Sequence, residues 1–137
     1  MQRSTIIFIL FVLLTIPQAC SMREAKEPRF EKDKDVVIDE LKSLRNFENA
    51  RVKWSTRSVD RKTVDILAVE LVNGQGMIDD ENKLRQLGKE ALQLTLPAIE
   101  NESEYERFEV IFIQESRRGI LTNTYTRAVQ YSPDELK

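Results

Sequence analysis

The chain has 137 residues, 41% hydrophobic and 32% charged, with four glycines and four prolines, which excludes collagenous, low-complexity and wholly disordered classes. Histidine is absent and cysteine occurs once, so His-based triads, Cys/His zinc sites and intrachain disulfides all lack partners. The length supports a single domain, and a net charge of −2 offers no dense positive field for phosphate backbones.

Residues 1–22 differ from everything after them. Arg3 is their only charged side chain, and a run of eleven residues, Ile6 to Ile16, is followed at once by helix-disfavouring Pro17. A spanning helix needs about 20 apolar residues, so the run fits the apolar core of an export signal rather than a permanent span. The switch to Arg23-Glu24-Ala25-Lys26-Glu27 marks the boundary.

Cys20 stands behind Ala19 at the end of that signal. Here the chain resembles bacterial lipoprotein precursors, whose lipobox closes with a small residue and then the cysteine to be lipidated. Pro17 and Gln18 depart from the usual pattern of an aliphatic residue and a small residue at those places, with Ile16 displaced by one. The resemblance covers only the first twenty or so residues. It implies a diacylglyceryl group on the Cys20 thiol, with acyl chains contributing about 0.8 kcal/mol per buried CH2 to membrane anchoring. Ala19-Cys20-Ser21 also fits cleavage after Ser21, which would discard the cysteine and release a soluble secreted or periplasmic domain.

The chain then divides into the signal peptide with its lipobox-like end (1–20), a charged flexible tether (21–34), one domain (35–132) and a C-terminal tail (133–137). Without Arg3, the exported part holds 20 basic and 23 acidic residues. A flexible tether of that length would hold the domain on the order of 20 Å from its anchor.

From Asp35 the hydrophobic period becomes readable. Val37, Ile38, Leu41, Leu44 and Phe47 recur at helical spacing, predicting a helix over about 35–48 with Asp35 as N-cap. The period changes to two at Val52, Trp54 and Thr56, which alternate with Arg51, Lys53, Ser55 and Arg57 as a half-buried strand. Asp60 to Thr63 turns the chain into a nearly continuous apolar strand, Val64 to Val72, closed by Asn73-Gly74-Gln75-Gly76. Asp79-Asp80-Glu81 sits where a helix N-terminus favours carboxylates, and Leu84, Leu87, Ala91, Leu94 and Ala98 trace one face of a second helix that Pro97 should kink or stop. After the polar 101–104 loop, Phe108, Val110 and Phe112 begin a strand, Arg117-Arg118-Gly119 turns it, and Leu121 to Tyr131 returns. The order α-β-β-α-β-β predicts an α+β two-layer sandwich, with a four-stranded antiparallel sheet and two helices on one face. It also reads as two αββ halves in tandem, although their residues do not align convincingly.

No residue set completes a catalytic constellation. No serine begins S-x-x-K; Gly74-Gln75-Gly76 opens a G-x-G-x-x-G pattern but Asp79 takes the third glycine's place, so a loop is the plainer reading. The carboxylates of Asp79-Asp80-Glu81 and of Glu100, Glu102 and Glu104 lack calcium-loop spacing and read as helix capping and a solvated loop. Asn101-Glu102-Ser103 is formally a glycosylation sequon. What remains is a surface. Arg51, Lys53 and Arg57 share one strand face, with Arg61, Lys62, Arg117 and Arg118 at hairpin tips, a candidate basic patch whose plainer reading is a charged face that discourages edge pairing. Trp54, Tyr125 and Tyr131 are expected in the core. The expectation is a non-enzymatic, exported envelope protein with no cofactor. It would be held to the membrane through lipid on Cys20 and act by binding or structural association with an envelope protein, not with nucleic acid.

Overall fold

A computed structural model describes residues 24–76 and 79–137; Cys20 and the apolar run lie outside them. The observed order is α1 (Lys34–Ser43), β1 (Asn49–Val59), β2 (Lys62–Val72), α2 (Glu81–Thr95), β3 (Arg107–Arg118) and β4 (Leu121–Tyr131), the predicted α-β-β-α-β-β. Among the described residues no helix is long and apolar enough to cross a membrane.

The first helix starts one residue before and stops five residues before the expected bounds of 35 and 48. Asp33, not Asp35, is the N-cap, its carboxylate accepting the Asp35 N–H. The helix ends at Ser43 because Asn46 takes a left-handed conformation (φ 49°) and the Phe47 N–H reaches back to the Lys42 carbonyl at 2.9 Å. Phe47, the residue after left-handed Asn46, enters the core beyond the helix stop. In α2 the Asp80 carboxylate accepts the N–H groups of Asn82 and Lys83, and Pro97 stops the α-helix in a 3-10 turn, Leu96–Ala98.

The sheet order is β1-β2-β3-β4. Both hairpins are antiparallel and close through two-residue turns. Asp60 and Arg61 both have positive φ (49° and 64°), as a type I′ turn demands, whereas Gly119 alone (φ 64°) does so between Arg118 and Leu121, the pattern of type II′. The expectation of a wholly antiparallel sheet is corrected at its centre, where β2 and β3 run parallel, Ile66 to Val72 pairing with Arg107 to Ile113. Chain length explains this. The fifteen residues of α2 rise about 22 Å, close to the roughly 23 Å of that seven-residue ladder, so the helix returns the chain to the end where β2 began.

Side-chain parity gives the sheet two faces. Odd-numbered Leu67, Val69 and Leu71 of β2 lie level with Val52 and Ala50 on one side and Phe108, Val110, Val129 and Tyr131 on the other. These join Val37 and Leu41 of α1 and Leu84, Leu87, Ala91 and Leu92 of α2 in one buried cluster. The other face carries Lys53, Arg57, Ile66, Ala68, Glu70 and Glu109.

Two expected loose ends are fixed to this body. Residues 26–31, within the segment expected as a flexible tether, lie along the 98–105 segment: Phe30 bridges Ile99, Glu31 N–H donates to the Ala98 carbonyl, and the Tyr105 hydroxyl donates to the Lys26 carbonyl. The expected tail forms a 3-10 turn, Pro133–Leu136, closed by a capping box between Ser132 and Glu135 and held by an Arg85–Glu135 ion pair.

Candidate functional site

Arg51, Lys53 and Arg57 occupy the open face of edge strand β1, as their alternation predicts. The basic patch is substantially neutralised by its own sheet. Lys53 Nζ donates to Glu70 at 2.6 Å, and Arg57 crosses β2 to lie 3.1 Å from Glu109. Glu70 and Glu109 are both buried beneath these cations. The Glu109 Oε2 atom has charge contact with Arg57 but no hydrogen bond among the described residues. Arg61 and Lys62 lie at one end of the sheet, whereas Arg117 and Arg118 lie at the other, so the hairpin-tip cations do not join one patch.

The carboxylate runs are used locally. Asp80 caps α2, Glu81 pairs with Arg127, and Glu100 pairs with Arg29 at 3.2 Å. A hydrogen bond from Asn101, followed by one from Lys26, holds the Glu104 carboxyl below its ordinary range. Bonds from the Ser132 backbone and hydroxyl, with Arg85, do the same for Glu135. Burial pushes the phenols of Tyr105 and Tyr131 up to about 12.

Sequence reasoning missed the role of Asn101. Its side chain is only 3% exposed; the amide donates to the Glu27 carbonyl and to Glu104, and its oxygen accepts the Arg29 N–H at 2.7 Å. Both polar atoms of the side chain of the formal sequon's asparagine thus hold the N-terminal segment. A polar residue between an apolar turn and a strand was the available signal, though its partners lie over seventy positions away.

The expected aromatic core residues divide. Tyr131 is buried, but Trp54 is 36% exposed: it shares the helix-facing side with Val52, yet edge strand β1 leaves one flank open. Tyr125 is 52% exposed because β3 and β4 run past the end of β2, which stops at the level of Ile113.

An open cleft of about 1160 Å³, mouth included, lies between the C-terminal end of α2 and the 133–136 turn, with Leu92, Leu96, Phe108 and Leu136 as apolar lining. Tyr105 lines it too, and the same Tyr105 holds Lys26, so the N-terminal segment leaves the body at the cleft's rim. No protein-family model, curated protein or solved structure matches the chain.

Proposed function

We propose that this chain is a small, non-enzymatic protein of a bacterial cell envelope, exported by its first twenty residues and held to a membrane by lipid on Cys20. It acts by binding or structural association with an envelope partner. The observation that carries this reading is the position of the sole cysteine, immediately behind Ala19 at the close of an eleven-residue apolar run. The docking of residues 26–31 sharpens its physical consequence. Six residues from Cys20 to Lys26 reach about 20 Å at full extension, so a lipidated Cys20 keeps the Tyr105 end of the domain near the bilayer.

The test is mass spectrometry of the membrane fraction of a bacterial host expressing the full chain. The expected species begins at Cys20 and carries the mass of a diacylglyceryl modification. Mature protein beginning at Met22 in the soluble fraction overturns the anchor and leaves a released secreted or periplasmic domain.

A further inference from the structure

We propose that two copies of this chain pair through β4, antiparallel about a two-fold axis at Asn123, to form one continuous eight-stranded sheet. The inference is independent of lipidation and begins with the two edges. Strand β1 carries Arg51, Lys53 and Arg57 and no acidic residue, a charge pattern that resists pairing with another strand. Strand β4 has eleven residues and Arg127 as its only charge; it contains no Pro or Gly, and its first six residues are all exposed. It thus lacks the charges and breakers that protect an edge.

The order of residues makes this edge complementary to itself. About Asn123, the run Leu121-Thr122-Asn123-Thr124-Tyr125 places Thr122 opposite Thr124 of a second copy and Leu121 opposite Tyr125. Thr–Thr and aliphatic–aromatic facing pairs are the kinds that stabilise antiparallel strands. The register keeps side-chain parity, so Leu121 and Tyr125 of the two copies meet on the helix-facing side of a common sheet.

The same pairing accounts for a second feature. Leu121 is 67% exposed and Tyr125 52%, and Ile120, at the hairpin tip, is 99% exposed. In this register each Leu121 gains a Tyr125 partner, and Ile120 lies beside Thr126 of the other copy. Arg127 faces the Gly119 turn, so no like charges meet. Pairing β4 with β1 instead would gather cations on both sides and generate an open-ended fibre, whereas the β4 pair closes.

The experiment uses the full-length chain in non-ionic detergent. Sedimentation should give a protein mass twice 16.0 kDa. In a Cys20→Ser background, Asn123→Cys faces its own copy at the 4.5–5.5 Å Cα spacing typical of antiparallel pairs, within disulfide reach, and should oxidise to a covalent dimer. Ser58→Cys, on β1, should not. Asn123→Lys sets like charges face to face and should raise the dissociation constant by at least about tenfold, with the melting temperature of the dilute, dissociated chain unchanged. A single-chain particle at the highest attainable concentration overturns the proposal. So does a dimer indifferent to Asn123→Lys, cross-linking at Ser58→Cys as fast as at Asn123→Cys, or growth into long polymers.

Discussion

Asn101 and Gly88 show how single positions hold distant parts of this chain together. Replacing Asn101 with Ala removes three hydrogen bonds that secure residues 27–29 and Glu104. It also strips partners from part-buried backbone groups, so the expected loss is about 2–3 kcal/mol in urea unfolding, with faster tryptic cleavage at Lys26 and Arg29. A Cβ on Gly88 would stand 2.2 Å from the Tyr131 hydroxyl, which donates to the Arg85 carbonyl at 2.6 Å. Gly88→Ala should therefore lower the melting temperature despite alanine's helix preference of about 1 kcal/mol. Adding Tyr131→Phe, which removes the obstructing oxygen, should recover part of that loss, and calorimetry of the double variant reads this non-additivity. Arg57→Ala leaves the buried Glu109 carboxylate without its cation and should cost about 1–2 kcal/mol, discounted because Arg57 is half exposed. Arg51→Ala should cost almost nothing by the same measurement.

At the scale of elements, the β1–β2 turn has room for improvement. Asp60 and Arg61 both adopt positive φ, where glycine is far more comfortable than arginine. Arg61→Gly should raise stability by about 0.5–1 kcal/mol, measured by the urea midpoint at constant slope. The elements themselves were legible because their signals are local: apolar periods of 3.6 and 2, the carboxylates at the start of the second helix and Pro97 at its end. The parallel pairing of β2 with β3 was less so, since hairpin turns specify partners within each half but not how the halves meet. The nearly continuous apolar run of β2 matches the inner position that the strand order gives it. The N-terminal clamp was hidden because its composition is that of free chain, and only contacts with Ile99, Asn101 and Tyr105 give it a place. For the candidate surface, alternation identified the face of Arg51, Lys53 and Arg57, but Glu70 and Glu109 belong to other strands and their neutralising role required the register.

The whole molecule has two unlike ends. At one, the N-terminal segment leaves beside Tyr105, just before β3; at the other, some 40 Å along the twelve residues of that strand, the Gly119 turn projects past β2. Global stability should fall with alkaline pH. The phenols of Tyr105 and Tyr131 ionise near 10 in the unfolded chain but at about 12 in the fold. Their contribution is therefore complete below pH 10 and is lost between about pH 10 and 12, which urea unfolding followed by circular dichroism across that range will read. Glu104 and Glu135 act with the opposite sign: their lowered values favour the fold above the ordinary carboxylate range, and that contribution disappears as pH falls through them. The lashing of residues 26–31 also has a mechanical outcome. A tug entering from the upstream side of the chain is resisted first by the Asn101 and Tyr105 bonds and the Phe30 bridge, so α1 and the sheet behind it stay shielded from force until that fastening tears.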